Sequence, residues 1–236
     1  MQSYGQFCPV AKALEVTGTR WTLLVLRELI GGAHRFNDLQ RGVPLMSRAL
    51  LAQRLRELEA AGLISSSEKS SGHGRDYTLT EAGRALQPVI EALGNWGQFH
   101  AHATISQDDC DPSLLFWALR KHTDPARLPE HRFVMQFILR NLPRGRRSAE
   151  RWWLVAIAGE PLDICPKDPG FPVDVALNAD VSALVKVWLG YRGLGDAIRN
   201  GEIGVEGSLS SQKTLLRLLD LRDSPCTKQW AYGPSS

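Results

Sequence analysis

Long apolar runs are missing from this sequence. No stretch approaches the roughly eighteen consecutive apolar residues that span a bilayer, and the opening MQSYGQFCPV has neither a basic leader nor an apolar secretory core. A cytoplasmic protein with no membrane partner is the expectation. Cysteine is scarce: Cys8, Cys110, Cys165 and Cys226 are scattered, with no CxxC pair and no histidines at zinc spacing, which argues against a disulfide framework or a metal site. Net charge is also small, +3 in 236 residues with a pI near 8.7. That balance permits a polyanionic partner without demanding one. No internal repeat, Walker loop, nucleophile motif or GxGxxG after a strand occurs, and Asp163, Asp174, Asp180, His122 and His131 fall on separate predicted elements. Neither an enzyme nor a bound cofactor is expected.

What is present divides in two. From Pro9 to about Ala103 the pattern is almost wholly helical: PVAKALEV, RWTLLVLRELI closed by Gly31 and Gly32, then FNDLQRG and a longer leucine-spaced segment. ISQDDCD, from Ile105, is polar and aperiodic and reads as a linker. Beyond it the period changes. Asp111-Pro112 is a helix start, with SLLFWALRKH following, and RFVMQFIL, RWWLVAIAG, EPLDICP and VDVALNA read as strands. Asp180 caps a helix over VSALVKVWLG, LGDAIRNG is a second, and LSSQKTLLRLLDL a last. The basic LPRGRRSAER is expected to be a hairpin loop. The fold class is α+β, with domains at 1–105 and 106–236.

The stretch MSRALLAQRLRELEAAGLISSSEKSSGHGRDYTLTEAG carries the most information. On a helix from Ser47 to Ala60, Leu51, Leu55 and Leu58 share one inward face, and Arg48, Ala52, Gln53 and Arg56 lie opposite. Ser47 can cap that helix. Arginine can donate two hydrogen bonds to guanine and glutamine can pair with adenine in a major groove wide enough to admit a helix. RFNDLQRG supplies the first element of a helix-turn-helix. LISSSE and RDYTLT then make two strands of a wing, Ile64 to Thr80, turning at Gly72 and Gly74. At its tip Lys69, His73 and Arg75 are donors for phosphates or an adjacent minor groove. The alternative for these charges is an ordinary solvated helical face.

CPVAKALEVTGTRWTLLVLRELIGGAHRFNDLQRGVPLMSRALLAQRLRELEAAGLI followed by RDYTLTEAGRALQPVIEALGNWG resembles the HxlR-type winged helix-turn-helix regulators, relatives of the MarR group, from Cys8 to Gly97. The resemblance implies a homodimer on a palindromic operator in double-stranded DNA. Carried over to this chain, Ser47, Arg48, Gln53 and Arg56 are base or phosphate contacts, Arg75 joins them from the wing, and Arg35 is a further phosphate contact. Two departures stand out: Leu45-Met46 replaces a glycine-containing turn, and Arg20-Trp21 stands where Lys-Trp is commoner. Trp21, with Leu24, Val25 and Leu29, is read as core. Trp96, with Leu86, Ile90 and Leu93, is expected at the dimer interface, intramolecular packing being the alternative. In some relatives a cysteine in the Cys-Pro position senses oxidants. Cys8, whose thiol the helix start at Pro9 would activate, is therefore a candidate redox sensor, with a plain structural cysteine as the other reading.

Phe133 to Leu221 resembles the sterol-carrier-protein type of lipid-binding domain. The matching pieces are RWWLVAIAGEPLDI, the Leu177-to-Asp180 step, Trp188-Leu189-Gly190 and AIRNGEIGVEG. That family packs helices over one face of a curved sheet and can enclose an apolar tunnel. The likeness implies a small apolar ligand as effector, with Phe116, Trp117, Val134, Phe137, Trp153, Val187 and Trp188 lining its pocket. A solid core built from the same aromatics is the alternative. Two other readings of the half stay open: a purely structural domain, or a lipid carrier.

Overall fold

The computed structural model describes residues 3–68, 74–101, 105–144 and 150–219. The chain divides into two compact units, Met1–Asn95 and Trp96–Trp230, each with its own apolar core. Among the described residues no helix is long and apolar enough to cross a membrane.

The first unit begins with α1 (Pro9–Thr17), α2 (Thr22–Ile30), α3 (Phe36–Gly42) and α4 (Arg48–Ala60). The wing strands β1 (Ile64–Glu68) and β2 (Arg75–Leu79) pair antiparallel, Ile64 opposite Leu79 and Glu68 opposite Arg75, and α5 (Glu81–Arg84) and α6 (Gln87–His100) follow. Val25, Leu26, Leu39, Leu51, Leu55 and Leu58 are buried together at the centre, joined by Met46 and Ile90. The leucine spacing of α4 therefore does what its sequence period requires.

Several residues fall differently from their expected places. Trp21 is not on the helical face of α2: it stands at the N-cap with a left-handed backbone (φ 77°) and packs half-buried at the core's edge. For a residue with a side chain that conformation costs about 1–2 kcal/mol. Leu24 is exposed, and Val25, Leu26 and Leu29 take the inward positions. On α6, Ile90 is core and Leu86 packs against it, whereas Leu93 and Trp96 are exposed. The expected group of four on one interface thus separates: Leu86, just before the start of the helix, and Ile90, in its first turn, are taken up by the first core, and Leu93 and Trp96 farther along it stay exposed.

The second unit has α7 (Pro112–His122) and the strands β3 (Phe133–Arg140), β4 (Arg151–Ala156), β5 (Asp163–Cys165) and β6 (Val175–Asp180). Then come α8 (Val181–Trp188), α9 (Leu194–Arg199), β7 (Ile203–Gly207) and α10 (Leu209–Leu218). The five strands lie in the order β5-β4-β3-β6-β7, with β3 and β6 parallel and the other pairs antiparallel. Pleating sends Phe133, Met135, Phe137 and Leu139 to one face with Leu154, Leu177 and Ile203. Side chains of α7, α8, α9 and α10 join them there in one core.

Asp111 and Asp180 cap α7 and α8 as expected, each accepting from the backbone N–H two residues on. The ISQDDCD segment is more ordered than a linker. Ser106 and Asp109 form a reciprocal capping box around a single 3-10 turn, and this seats the Cys110 side chain in the core, its S–H directed to the Ser106 carbonyl. Of the expected LPRGRRSAER hairpin, residues 145–149 lie outside the described residues, as does Cys226.

Candidate nucleic-acid interface

The helix-turn-helix is fixed by polar bonds at its turn. Gln40, near the end of α3, donates from Nε2 to the carbonyls of Val43 (3.3 Å) and Met46 (2.7 Å). Met46 itself is buried, so the Leu45-Met46 turn is held by a glutamine and a core side chain where glycine is commoner. Ser47 then caps α4, its Oγ accepting from the Leu50 N–H at 3.2 Å. One turn of such capping contributes about 1 kcal/mol.

At the other end α4 closes in a Schellman turn: the Leu63 N–H bonds to the Leu58 carbonyl and the Gly62 N–H to that of Glu59, both at 3.0 Å. Gly62 has φ 70°, which explains the glycine of the AAGLI motif. Thr80, the end of the wing, donates through Oγ1 to the Gly62 carbonyl (2.7 Å), its N–H bonds to the Leu63 carbonyl (3.0 Å), and its Oγ1 accepts from the Gly83 N–H (3.2 Å). A Cβ on Gly83 would lie 2.1 Å from the Leu63 carbonyl oxygen. The TLTEAG motif is thus a clamp between the wing and the end of α4.

The outer face of α4 presents Arg48, Ala49, Ala52, Gln53 and Arg56, all at least partly exposed. They fall within one side of the helical wheel, with Leu51, Leu55 and Leu58 opposite. Arg48 lies over the Phe36 ring, 4.8 Å from its centroid, and donates to Asn37 Oδ1 at 3.2 Å. Gln53 donates to Glu57 at 2.9 Å, and Arg56 has no ion pair among the described residues. Arg54 differs from its neighbours: it is turned inward, buried, and paired with Glu57. Glu57 is therefore engaged by two side chains of α4 itself.

Arg35 is exposed at the N-cap of α3, and its backbone forms a bridge with Asp76 of β2, next to the Tyr77 N–H bond to the His34 carbonyl (2.8 Å). Arg75 is exposed on β2 and donates to Ser66 Oγ across the wing at 3.3 Å. Burial pushes the Tyr77 phenol above its ordinary range, with the Arg75 charge opposing. Lys69 and His73 lie outside the described residues. The structure therefore gathers Ser47, Arg48, Gln53 and Arg56 on one helix, with Arg35 and Arg75 on elements tied to one another through β2.

Sequence reasoning missed two contributors. Asn37 holds Arg48, and its only signal was its place in the FNDLQ segment. Glu28 is buried, accepting from Arg27 Nε at 3.0 Å, while Arg27 Nη2 donates to the Gly42 carbonyl at 2.9 Å. A Cβ on Gly42 would sit 2.1 Å from the Glu28 carboxyl. This buried pair links α2 to the end of α3.

Cys8 is half-buried at the N-cap of α1, its carbonyl accepting from the Lys12 N–H, and Pro9 takes the first helical position. In the second unit the seven residues expected around a pocket lie on different surfaces. Phe116, Phe137 and Val187 are packed within the helix-covered core, with Trp188 at its edge, and Phe116 and Phe137 meet edge to face at 5.0 Å. Val134 and Trp153 belong to the other face of the sheet, and the buried Trp153 indole N–H has no acceptor among the described residues. Trp117 is buried. None of the seven lines the cleft of about 440 Å³ at one end of the sheet. Alternation along β3 and β4 is the cause, since residues of opposite parity cannot face one cavity. Among the described residues no three His, Cys, Asp or Glu side chains are grouped to hold a metal.

The family model described as HxlR-like helix-turn-helix matches residues 16–104. The uncharacterized HTH-type transcriptional regulator YdeP of Bacillus subtilis is 38% identical over 92 residues, which is 39% of this chain and 72% of YdeP. YkvN, another such regulator of the same organism, is 34% identical over 103 residues, 43% of this chain and 87% of YkvN. Among solved structures, the redox regulator HypR in its oxidized form is 34% identical, covering 39% of this chain and 97% of HypR with a TM-score of 0.38.

Proposed function

Because this chain belongs, through residues 16–104, to the HxlR-like helix-turn-helix family of DNA-binding transcriptional regulators, we propose that it binds a palindromic operator as a homodimer. Each copy lays α4 in a major groove and its wing along the flanking backbone, and the C-terminal domain, 106–236, receives a small effector through a sterol-carrier-like fold. The observation that carries the DNA reading is the outer stripe of α4. Arg48, Gln53 and Arg56 alternate with Ala49 and Ala52, so donors stand out from a surface low enough for base edges to approach. Arg35, Ser47 and Arg75 supply backbone contacts that set the register, with Lys69 and His73 assigned to the same task at the wing tip.

Exposed apolar side chains support the dimer. Phe7, Val10 and Leu14 at α1, and Val89, Leu93 and Trp96 on α6, are large hydrophobic residues left in solvent by a single copy. The deciding experiment is selection from a library of genomic fragments at physiological salt. Recovery of a shared inverted repeat bears the reading out, whereas uniform retention of all fragments, lost steeply with salt, overturns sequence-specific binding.

A second reading rests on Cys8. Cys8 directly follows the exposed Phe7 and precedes the exposed Val10 by two residues, so a second copy covering that surface brings two thiols together. Signal then enters by oxidation, and the second unit is structural. If a Cys8→Ser protein releases operator under oxidant as the parent does, this reading fails.

A further inference from the structure

The cleft at the end of the second unit's sheet has a chemical character of its own. Val155 and Ile157, at the end of β4, and Phe171 make apolar walls, and Arg120 of α7 and Arg132, the residue before β3, line it as well. Its volume of about 440 Å³ falls within the range of small-molecule sites. Three of its four charged groups are already accounted for. Arg132 is stacked on Phe171, 3.9 Å from the ring centroid. Asp163 accepts from the Ile164 N–H at 2.9 Å and from the Cys165 S–H at 3.6 Å. Glu160 is exposed on the β4–β5 turn.

Arg120 is the exception. It is half withdrawn from solvent in the last turn of α7, and it makes no hydrogen bond or ion pair with any described residue. A guanidinium in that position loses hydration without recovering it from a partner. Its planar fork matches a carboxylate, and the apolar walls suit what a carboxylate is attached to.

We propose that this cleft is the effector site, and that it takes a small organic acid: a carboxylate held by Arg120, with an apolar body against Val155, Ile157 and Phe171. The proposal rests on the reading of the second unit as an effector domain and moves its site from the packed core to the sheet's end.

Calorimetric titration of the full chain tests it with four probes: octanoate and benzoate as aliphatic and aromatic acids, and octanamide and benzamide as their uncharged counterparts. At least one acid is expected to bind, and its amide to bind about tenfold more weakly or worse, as loss of a charged hydrogen-bonded contact requires. Which acid binds distinguishes an acyl-chain source from an aromatic one. Arg120→Gln should lower the affinity for that acid by a similar factor and leave the amide unchanged, while Arg199→Gln, an exposed arginine of α9 outside the cleft, should change neither. No binding by either acid, equal binding of acid and amide, or undiminished binding by Arg120→Gln overturns the proposal. Should Arg120→Gln not fold, the acid and amide comparison on the parent chain decides alone. Operator titration with and without the bound acid separates the two layers: an acid that binds through Arg120 yet leaves operator affinity unchanged keeps the ligand site and sinks its role as an effector.

Discussion

The two units put charge inside for different ends. In the first, Glu28 and Arg54 are buried: Glu28 with Arg27 joins α2 to the carbonyl of Gly42, and Arg54, on the inner side of the helix that faces outward with Arg48 and Arg56, pairs with the exposed Glu57. In the second, the buried carboxyl among the described residues is Asp111, which starts α7, and the core between sheet and helices is a layer of apolar side chains. A small helical unit has little area to fix helix orientation by packing alone, and polar links add direction to it. A sheet has its direction set by the backbone ladder and register. Orientation of the α3–α4 pair should therefore be sensitive to charge, and integrity of the second unit to volume.

Two substitutions break that contrast if it is wrong. Phe137 is fully buried at the centre of the second core, edge to face with Phe116. Phe137→Ala should cost about 3–5 kcal/mol, read by chemical denaturation; a loss under 1 kcal/mol would mean that the core is loose enough to collapse. Arg27→Ala leaves the Glu28 carboxyl buried without its guanidinium and should cost about 3 kcal/mol. The paired change of Arg27→Leu with Glu28→Met is expected to recover most of it, because the cost lies in a buried charge that has lost its guanidinium rather than in missing bulk. If the double variant is no better than the single one, the pair contributes attraction that apolar packing cannot replace.

Local signals were legible and distant ones were not. The leucine period of α4, the Ser47 cap, the wing strands and the Asp111 and Asp180 caps each depend on residues within a few positions, and each formed where its spacing put it. The burial of Arg54 runs against its residue type but not against its spacing, since it lies three residues after Leu51 and four before Leu58, on the stripe that the leucines turn inward. The left-handed Trp21 was not legible, nor was the proximity of Gly42 to Glu28, which are fourteen residues apart in sequence. The strands of the second unit could be read individually, yet the parallel pairing of β3 with β6 joins segments about forty residues apart. Cavities are harder still: the cleft arises where side chains fail to meet, and the aromatics Phe116 and Phe137 are fully packed in the core.

The DNA-facing residues sharpen the contrast from the other side, since they should matter to binding and little to folding. Arg48→Ala or Gln53→Ala should cost about 1–3 kcal/mol in operator affinity and relax base preference, with melting temperature nearly unchanged. Arg75→Ala should weaken binding to all sequences alike and lower the salt slope by about one ion. Titrations of each variant on operator and on scrambled duplex, at several salt concentrations, tell these apart. Should Arg48 and Gln53 variants bind as the parent does, α4 presents a different face to DNA.

The smallest effect concerns Asp180, a cap of the second unit that works through its charge. Burial disfavours the Asp180 carboxylate, but hydrogen bonds from the Asn141 amide, the Ser182 hydroxyl and the N–H groups of Ser182 and Ala183 outweigh it and hold its pKa below the ordinary aspartate value. A carboxyl with a lowered pKa in the folded chain contributes stability above its unfolded pKa and loses it as pH falls through the folded one. Asp180→Asn keeps a capping oxygen but removes the charge. The variant should therefore melt below the parent at about pH 6, and the gap should close toward about pH 3, where the unfolded and folded aspartates are both becoming protonated. A gap that stays constant over that range would assign the stabilisation to the geometry of the Asn141 and Ser182 contacts, and would extend to Asp180 the rule of the rest of this unit, in which shape rather than charge holds the fold.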